Sequence, residues 1–135
     1  MDESLVEEVR ERADDICEYC RMPQSYYPTV VFPVDHIVAK QHGGPTRLSN
    51  LALSCLHCNS HKGPNFAGID PRSRKLTKLF NPRRHKWERH FRWNGPLLVG
   101  RTAVGRVTII VLAMNDPDLV EVREELIEEG VFPPG

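Results

Sequence analysis

All four cysteines of the chain fall in two Cys-x-x-Cys pairs, Cys17/Cys20 and Cys55/Cys58, and the span between them contains Asp35-His36-Ile37-Val38. The second pair runs directly into Asn59-Ser60-His61-Lys62-Gly63. Two chemistries are implied. Paired thiolates presented from two tight turns suit a tetrahedral zinc, and four of them fill every coordination position, so the expected zinc is structural and closed. Tandem pairs with no odd thiol point to metal rather than to disulfides in a reducing compartment. His57 and His61 lie close by in sequence but find no vacancy in a site of four thiols.

Asp35, His36, Asn50 and Asn59 form the second set. Hydrolysis of a phosphodiester needs a nucleophilic water, a base to deprotonate it, and a cation to offset charge building on the phosphate. A neutral imidazole suits the base role near neutral pH. A carboxylate and an amide oxygen suit a hard divalent ion that keeps most of its waters. Adjacent residues on a regular strand point to opposite faces, so Asp35 and His36 can share a site only if the strand end is twisted or bulged, which Pro33 favours.

The elements that must position these groups can be read in outline. Ser4-x-x-Glu7 has the form of a capping box, and Leu5, Val9, Ala13 and Ile16 follow at helical spacing, predicting a helix that ends near Cys17. Val30–Val34 predicts a strand delivering Asp35 and His36 at its end. Residues 40–50, with Gly43-Gly44-Pro45, predict a loop, Leu51–Ser54 a returning strand, and Asn59 onward a short helix stopped at Gly63-Pro64. Further on, Asn81-Pro82 predicts the start of a helix through Trp93. Thr102 predicts the cap of another helix carrying Val104, Val107, Val111 and Met114, against which the β-branched run Val107–Val111 argues for a strand; the helix is favoured. Asp116-Pro117 opens a last helix, with Leu119, Val122, Leu126 and Ile127 inward and Gly130 as its stop.

The 135-residue chain has zero formal net charge, but its charges are segregated. Eight acids lie between Asp2 and Glu18 and seven between Asp116 and Glu129, whereas eleven cations between Arg72 and Arg106 share that span with Glu88 alone. Such a distribution gives a local positive field to which a polyanion responds. The segment Phe80–Trp93 interleaves cations with aromatics. Arg83, Arg84, Lys86 and Arg89 are candidates for phosphate contacts there, with Trp87, Phe91 and Trp93 expected in the core. Lys62 is either a further phosphate contact or a solvated or capping residue. No apolar run reaches the length of a membrane span, and the acidic first residues lack the pattern of a secretory signal, so the expected location is cytoplasmic.

Asp35-His36-Ile37-Val38, Gly43-Gly44-Pro45, Asn50-Leu51 and Cys55-x-x-Cys58-Asn59-x-x-Lys62-Gly63 together resemble the HNH endonucleases, with similarity covering roughly residues 17–63. The same pattern resembles the nuclease domain of RNA-guided DNA-cleaving enzymes and the zinc-bearing phage enzymes that resolve branched DNA. The resemblance implies an α+β fold: a ββα-metal (His-Me finger) core stapled by a zinc site of four cysteines, with flanking helices. It implies His36 as the general base, Asp35 as the metal-binding acid, Asn50 as the residue fixing the loop that orients the base, and Asn59 as a ligand of catalytic Mg²⁺ or Mn²⁺. The family takes its name from a histidine at that last position. An Asn variant occurs, and His61 is the rival ligand in this chain. Helical geometry separates the two onto different faces.

The expected organisation is one domain over 1–135: a helix over 1–16, a zinc-stapled core over 17–63, and a basic extension over 64–135 ending in helices. The expected function is metal-dependent hydrolysis of DNA phosphodiesters, with RNA left open as a partner and either a monomer or a homodimer as the assembly. Two rival functions are a catalytically silent zinc module that binds nucleic acid through the basic segment, and a zinc-stapled protein-interaction domain using the acidic helices.

Overall fold

The computed structural model describes every residue from Met1 to Gly135. The first helix, α1, spans Glu3–Ala13. Its cap is Asp2, which accepts from the Ser4 N–H at 3.0 Å, so the anticipated Ser4 cap lies too far along the chain. The helix also stops before Ile16, because Asp14 and Asp15 both turn left-handed, and Ile16 instead bridges to Pro23. Val9 is fully buried on its inner face. Arg10 and Arg12 reach back to the carbonyls of Phe32 and Leu48, which docks α1 on the segment that follows.

Strand β1 (Val34–His36) pairs antiparallel with β2 (Leu51–Leu53), matching Val34 with Leu53, Asp35 with Ala52 and His36 with Leu51. β1 is shorter than expected: Val30–Pro33 lies outside it, and its ladder runs through Asp35 and His36 with no bulge. Helix α2 (Leu56–Lys62) follows at once, capped by the Cys55 side chain and closed by Gly63. It begins three residues before Asn59, so the second cysteine pair is part of the helix start. The Cys17–Cys20 turn lies across the end of β2, with the Glu18 N–H donating to Leu53 O and the Leu53 N–H donating to the Glu18 carboxylate. Strand, strand and helix are thus held from behind by the first cysteine pair.

Residues 64–135 depart more from expectation. Strands β3 (Ala67–Ile69) and β4 (Leu76–Lys78) form an unanticipated hairpin. The basic helix expected through Trp93 is only the single turn α3 (Trp87–His90), after which β5 (Phe91–Asn94) and β6 (Leu97–Gly100) form a third hairpin around Gly95-Pro96. Gly95, in the left-handed region, is the first residue of this two-residue turn, and the strand pair it closes overrides the helical spacing of Trp87 and Phe91. Helices α4 (Ala103–Val111, capped by Thr102) and α5 (Pro117–Glu128, capped by Asp116) follow the capping chemistry of the sequence. Helix α4 packs on β3, β4 and β6.

One apolar cluster runs from Val9 through the cysteines and β2 to Phe91, Val107, Leu112 and Leu126. Trp87 and Phe91 belong to it, whereas Trp93, also expected in the core, is half-buried and packs against its edge. Arg123 is fully buried at its edge and donates to the carbonyls of Pro96 and Met114 and to Asn115. The architecture is α+β, with small antiparallel sheets and helices on one continuous core. No helix is long and apolar enough to cross a membrane.

Candidate active site and thiol cluster

Cys17, Cys20, Cys55 and Cys58 are all buried, and their sulfurs lie within 4.8 Å of one another. Tetrahedral zinc with Zn–S near 2.3 Å places its sulfurs roughly 3.8 Å apart, and the Cys20 and Cys55 Sγ atoms are separated by 3.7 Å. The Cys20 and Cys58 N–H groups point at the Cys17 and Cys55 sulfurs, at 3.5 and 3.4 Å, as donors toward thiolates do. As bare thiols the four are in conflict. Burial pushes the Cys17 thiol up, but hydrogen bonds from Cys20, Cys55 and Cys58 prevail and hold it well below the ordinary thiol value. Hydrogen bonding to Cys17 and to other thiols, together with burial, drives Cys20 and Cys58 well above it. The donor set, spacing and N–H groups fit a closed tetrahedral metal site.

On the other side of β1 and α2 an open, mostly polar cleft of about 300 Å³ is lined by Asp35, His36, Lys40, Gln41, Asn59 and Gly63, among others. Asp35 and His36 therefore meet in one cleft without the bulge that Pro33 favoured; Asp35 is inward and buried, while His36 is half-exposed. Asn59, one residue beyond the last cysteine, reaches the same cleft from α2. His61 does not. Two residues farther round the helix, it stacks on His57 at 4.0 Å, bonds the His57 carbonyl through Nδ1, and lines an apolar pocket with Met22, Tyr27 and Leu119. Its candidacy as rival ligand is corrected by this placement.

Asp35 and His36 are each held by residues from elsewhere in the chain. Asp35 Oδ2 accepts from the Tyr19 hydroxyl at 2.7 Å, and Tyr19 sits between Cys17 and Cys20. Burial and the Asp35 charge push the Tyr19 hydroxyl well above its ordinary value, so it stays protonated and donating. Lys62 is 2 % exposed; its ammonium lies 3.2 Å from Asp35 Oδ1, 3.1 Å from Oδ2 and 3.1 Å from the His36 carbonyl. A lysine so enclosed is neither solvated nor free to meet a phosphate, which corrects its expected role as a nucleic-acid contact. Burial pushes the Asp35 carboxyl above the usual carboxylate range, and Lys62 and Tyr19 oppose that push.

His36 Nε2 lies 2.9 Å from Thr46 Oγ1. Burial, followed by the nearby Lys40 charge, lowers its pKa and favours the neutral imidazole. Asn50 touches no cleft atom. Its side chain takes the Val38 N–H and donates to the Val38 and Pro45 carbonyls, at 2.9, 3.0 and 2.9 Å, closing residues 38–50 into a fixed loop. Gly44 is required by that closure, since a Cβ there would lie 1.7 Å from the Val38 oxygen. Asn50 is thus a positioning residue for the loop that carries Thr46 to His36.

Of the basic candidates, Arg84, Lys86 and Arg89 are exposed. Arg83 is not free: its guanidinium pairs with Glu18 and donates to the Leu51 carbonyl. It belongs to the packing of the cysteine turn on β2, which corrects its assignment as a nucleic-acid contact. Tyr19 and Thr46 were not anticipated. Tyr19 carries a signal in retrospect, as a hydroxyl-bearing aromatic inside a cysteine turn, whereas Thr46 carries none.

As a donor set for a divalent ion, Asp35 and Asn59 offer two hard oxygens in one open cleft. Tyr19 meets Asp35 Oδ2 and Lys62 lies across both carboxylate oxygens, which leaves Oδ1 a lone-pair direction unused. That fits a cation bound by few protein groups and otherwise by water and substrate oxygens.

A family model described as HNH endonuclease matches residues 17–65. No curated protein and no solved structure matches the chain. The matched span runs from the first cysteine to just beyond α2 and contains both the thiol cluster and every residue that lines the cleft. At the level of the family this supports nuclease activity and a nucleic-acid substrate, through a similarity to the HNH endonucleases that covers residues 17–65.

Proposed function

We propose that this chain is a metal-dependent endonuclease that hydrolyses phosphodiester bonds in DNA, with His36 as general base and Asp35 and Asn59 as ligands of a divalent ion. The observation that carries the reading is the convergence of Asp35, His36 and Asn59 on one open cleft, from a strand end and a helix that the thiol cluster ties together. A Mg²⁺ or Mn²⁺ held there supplies positive charge at the phosphate and the departing 3′ oxygen.

The chain's own residues do the rest. With the Nε2–H of His36 donating to Thr46 Oγ1, the lone pair on Nδ1 is left to take a proton from water as that water attacks phosphorus. The P–O3′ bond breaks, leaving a 5′ phosphate and a 3′ hydroxyl. Lys62 and Tyr19 keep Asp35 ionised and oriented despite its burial. Zinc held by Cys17, Cys20, Cys55 and Cys58 would tie the β1–β2 pair to α2 and, with every coordination position filled by thiolates, would stay outside the reaction.

A second reading has one observation in its favour. Asp35 is 5 % exposed and already bonded to Lys62 and Tyr19, as a retired ligand stabilised by internal partners would be. In that case the chain is a silent zinc-containing module that binds nucleic acid. Incubation of the purified protein with linear, supercoiled, single-stranded and branched DNA in Mg²⁺, Mn²⁺ or EDTA separates the two. The nuclease reading expects metal-dependent cuts that His36→Ala abolishes. The silent reading expects no cuts, with salt-sensitive binding indifferent to Asp35, His36 and Asn59 substitutions.

A further inference from the structure

The β3–β4 hairpin has two unlike faces. Ile69 pairs with Leu76, Gly68 with Thr77 and Ala67 with Lys78. The Gly68–Thr77 face lies on α4, so closely that a Cβ at Gly68 would come within 2.8 Å of Val111 and 3.3 Å of Val107. The opposite face has no partner. Ile69 is 58 % and Leu76 74 % exposed, side by side, with exposed Lys78 beyond them. Two large apolar side chains on the outside of a small strand pair are not explained by folding.

The turn joining these strands is rigid and cationic. Asp70 is completely buried and accepts a two-pronged contact from Arg106 on α4, at 2.9 and 3.0 Å, and the Ser73 N–H at 3.0 Å. Arg106 and Ser73 hold its carboxyl well below the usual carboxylate range. The only acid of the hairpin is therefore neutralised from within, and Arg72, Arg74 and Lys75 are left exposed at the tip. The base of the hairpin adjoins the cleft. Pro64 lines the cleft, Phe66 follows two residues later, and the Phe66 ring meets His42 edge-on at 5.5 Å, next to the cleft residues Lys40 and Gln41.

We infer that the outward face and tip of the β3–β4 hairpin form a second nucleic-acid contact, holding the strand that leaves the cleft: Arg72, Lys75 and Lys78 on its phosphates, Ile69 and Leu76 against its sugar and base edges. The inference rests on the nuclease reading of the cleft for the identity of the polyanion. Charge favours this occupant over a second copy, since a two-fold contact through this face brings two cationic tips together. DNA and RNA share the recognised chemistry, and the arms of the experiment separate them.

The test uses the full chain with zinc bound and His36→Ala, so that binding is read without cutting. Labelled duplex DNA, single-stranded DNA and RNA of one sequence are titrated by fluorescence anisotropy at about 50 to 300 mM NaCl. Arg72→Gln/Lys75→Gln/Lys78→Gln is expected to lower affinity about tenfold or more and to reduce the slope of log K against log salt on duplex by roughly 2–3, near 0.9 per lost contact. Ile69→Thr/Leu76→Thr is expected to lower affinity several-fold with the slope unchanged. Far-UV dichroism confirms that both variants fold.

Parental affinity and slope in the charge variant would overturn the inference. So would a change confined to the mass by light scattering, which would put a second copy on this face, or to sedimentation with anionic vesicles. In the His36-containing background, variants that still cut as the parent does while binding as the parent does remove the hairpin and leave the nuclease reading intact. A parent that neither binds nor cuts removes both.

Discussion

Helix α2 contributes to two sites built on opposite principles. At its start, Cys55 and Cys58 complete a buried set of four identical donors whose spacing suits one tetrahedral metal. One residue later, Asn59 opens onto a cleft where every reactive group is different and exposure is graded from Asp35 to His36. The thiol site is ordered by its own members. The cleft is ordered by loans from elsewhere: Tyr19 from the cysteine turn, Thr46 and Asn50 from the 38–50 loop, Lys62 from the last turn of α2. A closed site fixes the chain, and an open site must be fixed by it. Tyr19 joins the two, since its flanking cysteines belong to one site and its hydroxyl to the other.

The largest expected effect breaks the closed site. Cys58→Ser removes one of four donors, and structural zinc binding represents about 10–16 kcal/mol of folding free energy in small zinc modules. The expected result is loss of both bound zinc by atomic absorption and cooperative melting by circular dichroism; a variant that melts like the parent without zinc would erase the distinction between the sites. Next comes Lys62→Met, which strands a buried carboxylate and is expected to destabilise the zinc-loaded protein by about 3–5 kcal/mol in urea. Adding Asp35→Asn should return part of that loss, because the pair is then replaced rather than broken.

Asn50→Ala removes three hydrogen bonds to a loop backbone and is expected to cost about 2–3 kcal/mol. Cleavage should fall with it while DNA binding persists, which distinguishes a positioning residue from a contact. Thr46→Val acts on an exposed bond, so stability should change by less than about 1 kcal/mol. In the same variant kcat should drop about tenfold with KM unchanged, a split that a merely structural threonine would not give.

The smallest effect concerns the extension. Burial, then Arg84, lowers the His85 pKa, and burial, then His85 and Arg89, lowers that of His90. The unfolded chain therefore takes up these protons first as pH falls, so stability is lost below the ordinary histidine value and not above it. The melting temperature at about pH 5.5 should lie a few degrees under that at about pH 7.5, and His85→Asn should narrow the gap.

The same contrast explains what the sequence revealed. The cysteine pairs and Asp35, His36 and Asn59 were legible because their chemistry is carried by residue type at short spacing. Helices α4 and α5 were legible from Thr102 and Asp116-Pro117, whose caps act within three residues. The lent residues were not. Tyr19 meets Asp35 across 16 positions, Arg83 meets Glu18 across 65, and Arg106 meets Asp70 across 36, distances over which no periodicity speaks. Lys62 and Arg83 were misassigned for one reason: a cation in a sequence gives no sign of whether folding supplies it with a carboxylate. The segment 83–93 misleads for a different reason: its helical spacing is overridden by the strand pair that Gly95-Pro96 closes.

The most direct test of the account is plasmid cleavage by the zinc-loaded protein and its His36→Ala variant, in Mg²⁺ and in EDTA, with zinc content and melting measured on the same samples. The account predicts cuts by the parent in Mg²⁺ alone, none by the variant, and equal zinc and melting for both. Cleavage by His36→Ala at the parental rate would contradict it.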